Sequence, residues 1–313
     1  MRAILVTTCT GRKKIAPLPS LLASTLSEGK QDDVLLEWLE RISDPSVTTP
    51  ASDVYCGRGF AEILKARREY DCEVHIISAG LGLITSDVEI PSYNLTISPS
   101  LPESIQRKVK GDFNAPQWWR ALNGAVTAET APLAAIVKKN TDAGFLFSLS
   151  RPYAEMVVDD LLSLRDNDLL RVRLLGLSNP DYMPKRLRNI CMPYDGRFDG
   201  PDNAGRGTRS DFPQRVACHF LQHIYRPNEN HDPHGHAKLV SQFLEGKSFP
   251  KKVKRATQTD DQIRAIIRER WDQAKGASSK MLRVLRDDLL VCCEQKRFAQ
   301  LFREVRAERN ERT

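Results

Sequence analysis

The chain has 313 residues, more than one hydrophobic core usually holds, so two domains are expected. Apolar residues make up 41% and charged residues 28%, as in ordinary globular proteins, and no apolar run approaches the length of a membrane span, which argues against a membrane-spanning chain. The formal net charge of +7 lies in the last fifth, because residues 251–313 contain 17 Lys and Arg against 10 Asp and Glu, whereas the other 250 residues contain 30 of each.

This uneven charge predicts a neutral body followed by a basic tail. Such a tail favours a polyanionic partner, and we expect nucleic acid. The alternative is a solvated helical surface that carries many charges of both signs.

The compartment can be inferred from the chain start and the cysteines. The start, MRAILVTTCTGRKK, has too few apolar residues for a signal peptide, and its basic residues follow the apolar run. The seven cysteines are scattered, and Cys292 and Cys293 are adjacent, which fits a reducing environment. We therefore expect a cytoplasmic protein.

The first two thirds of the chain alternate apolar, strand-like runs with helical patterns. This alternation implies crossover connections and predicts an α/β fold, a mixed sheet with helices on both faces. Ligands of such sheets bind beyond the carboxyl ends of the strands. The predicted strands are residues 3–8, 74–79, 144–149, 171–177 and 189–193, and the predicted helices are residues 34–42, 60–68, 133–138 and 154–164.

Hydroxyls, glycines, cations and aromatic rings follow three of these strands. Thr8, Cys9 and Thr10 follow the first strand and precede a basic run, a composition that suits an anion or a polar ring edge. Gly80 and Gly82 follow the second, where they would let the backbone approach a ligand. We predict a pocket for a flat polar ring with phosphate nearby; the alternative is ordinary loop chemistry. The predicted substrate-binding residues are Thr8, Cys9, Thr10, Lys13, Tyr55, Arg58, Ser78, Gly80, Gly82, Ser148, Ser150, Arg151 and Tyr153.

A histidine cluster lies near the end of the body. His219 and His223 have the i, i+4 spacing of zinc ligands, but neither an H-E-x-x-H glutamate nor a suitably spaced cysteine pair completes a site. We predict no metal and no cofactor, with zinc as the alternative. Three further histidines in a linker are expected to be solvated, namely His231, His234 and His236.

The remainder of the chain is predicted to contain a linker and a small helical domain. Residues 226–256 read as a basic polar linker, and residues 257–313 read as three short amphipathic helices, the first capped by Thr259. Tight turns and basic outer faces predict a helix-turn-helix-like, DNA-binding module whose third helix reads a groove. The alternative is a helical bundle that packs on the main domain or on another protein.

DNA contacts are predicted in both parts of the chain. Trp118 and Trp119 are adjacent and point to different sides, so one is expected to pack and the other to stack on or wedge into DNA; the alternative is that both pack. The predicted DNA-binding residues are Trp118, Trp119, Arg206, Arg209, Arg215, Lys254, Arg255, Lys280, Lys296, Arg297 and Arg303.

Four segments together resemble the YaaA superfamily, which comprises peroxide-stress proteins and their relatives in DNA modification and phage defence. The segments are DVYCGRGF at 53–60, VHIISAGLGLI at 74–84, IPSYNLTI at 90–97 and FLFSLSRPYAEMV at 145–157. A basic stretch from Gly207 to Arg215 resembles a further motif of the family. The resemblance covers about residues 1–225, a YaaA-like catalytic or base-binding domain.

The resemblance implies a fold whose members bind duplex DNA through a basic cleft. Some relatives are associated with deazaguanine modification of DNA bases and some with defence against phages that carry modified bases. Several relatives have an acid after the tyrosine of the Pro-Tyr turn, where this chain has Asn94. The resemblance does not specify a reaction.

We expect an enzyme that acts on DNA bases, most concretely a glycosylase that flips out a modified base and hydrolyses its N-glycosidic bond. A carboxylate or amide near the sugar would position water, and we predict Asp87 or Asn94 for this role, with Tyr93 stacking on the base. Asp87 as an ordinary turn residue is the alternative. The rival functions are a base-modifying enzyme and a non-catalytic DNA-binding stress protein. Double-stranded DNA, with modified bases, is the expected partner, and no membrane is expected.

Overall fold

A computed structural model describes residues 2–43, 47–203, 207–226, 232–251 and 254–310. Two residues that the sequence singles out, Arg206 and His231, lie outside the described residues. The chain divides into two compact units, Met1–Pro250 and Lys251–Thr313, which are described separately as unit 1 and unit 2.

Unit 1 contains a five-stranded mixed sheet in the order β4-β3-β1-β6-β7. β4 is antiparallel to β3, and the other neighbours are parallel, with Ile4 opposite both Glu73 and Phe145. The predicted α/β mixed sheet is confirmed. Its strands are β1 (Arg2–Thr8), β3 (Glu73–Ser78), β4 (Gly82–Thr85), β6 (Ala143–Ser148) and β7 (Val172–Leu175), and a separate antiparallel pair is formed by β2 (Thr49–Pro50) and β5 (Glu89–Ile90).

The last predicted strand, residues 189–193, is wrong. This stretch contributes a single bridge, between Leu174 and Cys191, instead of a ladder. Two physical reasons account for the difference: the backbone at Cys191 is held by a turn hydrogen bond to Arg188, and Pro193 has no N–H with which to continue the pairing.

The helices of unit 1 bury an apolar stripe against the sheet or against one another. In α3, for example, Phe60, Ile63 and Ala66 recur at helical spacing and are buried, and the helix ends at Asp71 in a left-handed conformation. The helices are α1 (Gln31–Ser43), α2 (Ala51–Val54), α3 (Arg58–Tyr70), α4 (Ala115–Thr127), α5 (Pro132–Lys139), α6 (Arg151–Met156), α7 (Val158–Leu162), α8 (Asp166–Leu169), α9 (Lys185–Arg188), α10 (Phe212–His219) and α11 (Pro233–Leu244).

Helix α11 corrects the predicted linker over residues 226–256. Asp232 caps the helix by accepting a hydrogen bond from the Gly235 N–H at 2.7 Å. His236 and Val240 are buried, and His236 Nδ1 accepts a hydrogen bond of 2.8 Å from Arg173 Nε of β7. The expectation that His236 is solvated is therefore wrong. His236 and Val240 are four residues apart in a helix, so they lie on the same face, and that face is buried.

Unit 2 contains the predicted helical region. Its helices are α12 (Asp260–Glu269), α13 (Ser278–Arg283) and α14 (Gln295–Asn310). Thr259 caps α12, and Gln262 Oε1 accepts a hydrogen bond from the Thr259 N–H. α13 continues into a wider turn over Val284–Asp288, and a parallel pair of short strands, β8 (Ala256–Thr257) and β9 (Val291–Cys292), was not predicted.

Candidate functional site

A cleft of about 790 Å³ opens at the carboxyl ends of β1 and β6, which are neighbours in the sheet. β3 lies on one side of β1 in the sheet and β6 lies on the other, so the strand order changes direction at β1. Open α/β sheets bind ligands at such a point. The volume lies within the range of roughly 300–1,000 Å³ typical of small-molecule sites. Residues from five segments line the cleft, namely 8–12, 56–60, 96 and 98–101, 150 and 152–153, and 208–211 and 213–214.

The structure brings together a subset of the predicted site residues. Those that line the cleft are Thr8, Cys9, Thr10, Arg58, Ser150, Tyr153 and Arg209. Thr8, Cys9 and Thr10 lie at the end of β1, and Ser150 and Tyr153 follow β6; these two groups meet because parallel strands present their carboxyl ends at one edge of the sheet. Arg58 begins α3, and Arg209 lies in the turn before α10.

Two exposed cations stand at the cleft. Arg12 and Arg209 line it, and neither forms an ion pair with a residue that the structure describes. Helix α3 begins beside them, with Gly57 at its N-cap position and a positive φ of 106°. The amino end of a helix favours anions, so this side of the cleft suits a phosphate group.

Asp211 lies beside the start of α3. Its carboxylate accepts hydrogen bonds from Arg215 Nε at 2.7 Å, Arg58 Nε at 2.8 Å and the Thr208 N–H at 2.9 Å. Burial alone would raise the pKa of Asp211, but the hydrogen bonds from Arg215 and Arg58 outweigh it and lower the pKa. Asp211 is therefore ionised at neutral pH and is held by its partners.

A thiol and a phenol meet in the cleft. Cys9 Sγ lies 3.1 Å from the Tyr153 hydroxyl, and both residues are buried apart from the surface that they present there. Burial raises the pKa of Tyr153 well above its usual value, so the hydroxyl stays protonated. It is a neutral hydrogen-bond donor.

Gln214 supplies a buried amide. It lines the cleft, is 5% exposed, and its Oε1 accepts no hydrogen bond from the residues that the structure describes. A buried polar atom without a partner is unfavourable by about 1–3 kcal/mol, so a ligand donor would stabilise this position. The α3 residue Gly59 makes room for it, since a Cβ there would lie 3.2 Å from Oε1.

Tyr93, predicted to stack on a base, is fully buried and does not line the cleft. Its hydroxyl lies 2.5 Å from Ser78 Oγ and 2.7 Å from the Tyr55 hydroxyl, which is also buried. Lys13 Nζ sits 4.4 Å from the centre of the Tyr93 ring and donates to the Thr10 carbonyl at 3.2 Å, and burial lowers the pKa of Lys13. These side chains form a layer beneath the cleft.

The glycines after β3 serve packing in the same layer. A Cβ on Gly80 would lie 3.0 Å from both Trp38 and Tyr93. Gly82 has a φ of 74°, and a Cβ on it would collide with the Asn123 amide. The glycines therefore admit neighbouring side chains, and neither lines the cleft.

Asp87 and Asn94, the predicted water-positioning residues, also lie away from the cleft. Asp87 is exposed and pairs with Arg67, with oxygen–nitrogen distances of 2.9 and 2.7 Å. Asn94 Oδ1 accepts a hydrogen bond of 2.6 Å from the Ala23 N–H and so fixes a turn. Both side chains have structural partners where the prediction assigned chemistry.

The adjacent tryptophans both pack, as in the alternative. Trp118 Nε1 donates to the Ala79 carbonyl at 2.8 Å, and Trp119 Nε1 donates to Asp160 at 3.1 Å. Since neither is more than 2% exposed, neither ring is available to wedge into DNA in this conformation.

The remaining predicted residues have varied surroundings. Ser148 is buried, and exposed Arg151 pairs with Glu155. Arg215, with Asp199 and Asp211 as partners, is 8% exposed and supports the cleft wall from behind. Among the predicted DNA-binding residues of unit 2, Arg255 and Arg297 form ion pairs, whereas Lys254, Lys280, Lys296 and Arg303 are exposed and form none with a described residue.

Two other expectations concern metals and membranes. No group of three or more His, Cys, Asp or Glu side chains in the described residues is arranged to hold a metal ion. Across that same part of the chain, no helix has both the length and the apolar character needed to cross a membrane.

Several cleft residues were not predicted from the sequence, namely Arg12, Cys56, Thr96, Ser98, Ser100, Thr208 and Gln214. Arg12 carried a signal, since it begins the basic run after the end of β1 at Thr8. Gln214 carried none, because it lies inside an amphipathic helix pattern.

Three comparisons with known proteins bear on the identity of the chain. No family model, no curated protein and no solved structure matches it significantly.

Proposed function

We propose that the protein acts on bases of double-stranded DNA and that the cleft holds one nucleotide flipped out of the duplex. The observation that carries the proposal is the composition of the cleft, where exposed arginines and hydroxyls meet the buried Gln214 amide at the switch point of the sheet. A flipped nucleotide complements these groups, because its phosphate accepts from arginines and hydroxyls and its base edge donates to an amide oxygen.

The two ends of the nucleotide have separate places in this proposal. The phosphate lies against Arg12, Arg209 and the amino end of α3, where positive charge is concentrated. The base lies deeper, against Tyr153, Cys9 and Gln214, which are buried and polar.

The reaction we propose is hydrolysis of the bond between the base and deoxyribose. Positive charge develops on the sugar, and negative charge develops on the departing base. The Tyr153 hydroxyl, which stays protonated, would donate a hydrogen bond to that base and accept one from the Cys9 thiol. Asp211 is the carboxylate lining the described part of the cleft, and because two arginines hold it, its contribution is electrostatic and it does not take a proton.

A base-modifying enzyme is the second candidate, and Cys9 favours it. The thiol lines the cleft beside a phenol, so it is placed to act as a nucleophile toward a base that stays attached to its sugar. A role in phage defence, or a deazaguanine substrate, comes from the YaaA resemblance alone.

The test is a panel of duplexes that carry cytosine, hydroxymethylcytosine, glucosylated hydroxymethylcytosine, uracil or deazaguanines. Free bases are measured by mass spectrometry, and abasic sites by alkali cleavage. We expect release from one member. A mass change within the strand would favour base modification, and no change in any member would contradict both enzymatic proposals and leave DNA binding alone.

A matched pair of variants tests the cleft. Tyr153→Phe removes the hydroxyl beside Cys9 and is expected to lower the rate of base release by about 100-fold, as for other lost transition-state donors. Tyr182→Phe removes the same atom outside the cleft, from a hydroxyl without a described hydrogen-bond partner, and should leave the rate unchanged. Equal rates for the two variants would remove Tyr153 from the reaction.

A further inference from the structure

Helix α14 of unit 2 presents three different sides. One side is apolar and forms the core of the unit with α12 and α13, through Phe298, Leu301, Phe302 and Val305. These residues recur at spacings of three and four, as expected for a single buried stripe. The remaining two sides are polar.

The second side is bound to α12 by ion pairs. The cations and acids on this side therefore neutralise one another. Arg297 in particular, which the sequence predicted as a DNA contact, also donates to the Gln258 carbonyl at 2.9 Å. The three pairs that join the helices are Arg297 with Asp260, Arg264 with Glu304, and Arg268 with Glu308.

The third side carries three cations, and the Glu294 carboxylate, which accepts a hydrogen bond from the Lys296 N–H, lies beside the first of them. Lys296, Arg303 and Arg306 are exposed, and none forms an ion pair with a residue that the structure describes. At 3.6 residues per turn they lie within roughly 80° of arc. Ala299 and Ala307 fall on the same side, and Arg303 Nε donates to the Ala299 carbonyl at 3.3 Å. We call these three cations the α14 cationic face.

We propose that the α14 cationic face is the surface with which unit 2 binds duplex DNA, by contacts to phosphates. Charge complementarity supports this occupant, because a duplex offers closely spaced negative charges, and Arg303 and Arg306 form no ion pair with a described acid. The inference rests on the proposed function in sharing DNA as the partner, but it concerns binding and not the reaction.

The test removes the three charges in the full chain. Binding of Lys296→Gln/Arg303→Gln/Arg306→Gln to an unmodified duplex is measured by fluorescence anisotropy across a salt series. We expect the slope of log Kobs against log salt to become shallower by up to about 2.7, at about 0.9 for each lost phosphate contact. Circular dichroism checks the helix, which these exposed substitutions should not disturb.

Two controls make the result specific. Arg68→Gln/Lys138→Gln/Lys139→Gln removes the same charge from exposed positions of unit 1 that form no ion pair with described residues, and should leave the slope unchanged. Arg297→Gln should also leave it unchanged. Equal effects of the two triple variants, or a large effect of Arg297→Gln, would overturn the proposal, as would tighter binding to duplex RNA. Base release is read separately, so lost release with intact binding contradicts the proposed function alone.

Discussion

Changing Asp211 to Asn should destabilise unit 1 much more than the same change at Asp87. The Asp211 side chain is 10% exposed and accepts from Arg215 Nε at 2.7 Å and from Arg58 Nε at 2.8 Å. The Arg215 side chain is 7% exposed, so the variant weakens the pairing of a buried charge, which costs about 3–5 kcal/mol when one partner is lost. Because Asp199 still binds Arg215 at 2.7 Å, we expect about 3 kcal/mol.

Asp87 is the contrasting case. Its side chain is 66% exposed and pairs with Arg67 at the surface, so Asp87→Asn should cost less than about 1 kcal/mol. The assay is urea unfolding followed by tryptophan fluorescence, with the midpoint and slope compared between variants. Base release by Asp87→Asn should equal that of the unchanged protein. A loss below about 1 kcal/mol for Asp211→Asn, or abolished release in Asp87→Asn, would contradict these expectations.

The docking of α11 and the acid sensitivity of the protein give two further predictions. His236→Ala removes the acceptor of a 2.8 Å hydrogen bond from buried Arg173. It should lower the free energy of unfolding by about 2–3 kcal/mol and speed hydrogen exchange across α11. His234 is exposed on the same helix, so His234→Ala should change neither quantity. Burial and nearby His223 lower the pKa of His219 to about 4 in the folded protein. Between about pH 6.5 and pH 4 the unfolded state therefore binds more protons than the folded state. The free energy of unfolding should fall as the pH is lowered through that range. His219→Phe should flatten this fall in urea titrations at each pH, and an unchanged fall would assign it to other groups.

The sequence predicted four strands of the sheet, and two of the three strand ends that it assigned to a pocket, those of β1 and β6, lie at the cleft. The runs that became β1, β3 and β6 are mostly apolar, as expected for strands covered on both faces. Once such strands are parallel, the residues that follow them share one edge. The positions of Cys9 and Tyr153 at the cleft follow from this rule.

The assignment of roles among polar residues could not be made from sequence. Tyr55, Ser78 and Tyr93 have the composition of a ligand site, yet their hydroxyls satisfy one another in the core. The same residue types serve both purposes, and the difference depends on contacts between residues 15 and 38 positions apart. Helix α11 was missed for a related reason, since the Pro, Asn and Gly that flank it are typical of a linker.

The buried tyrosines still bear on the cleft, although they do not line it. The Tyr93 ring supports Lys13, and Lys13 holds the Thr10 carbonyl at 3.2 Å, next to Cys9. Position 80 requires glycine because the Tyr93 ring occupies the space that a Cβ would take. The glycine loop and the tyrosine after it therefore position the end of β1, and a substitution at Tyr93 would reach the cleft through Lys13 and Thr10 rather than through contact with a ligand.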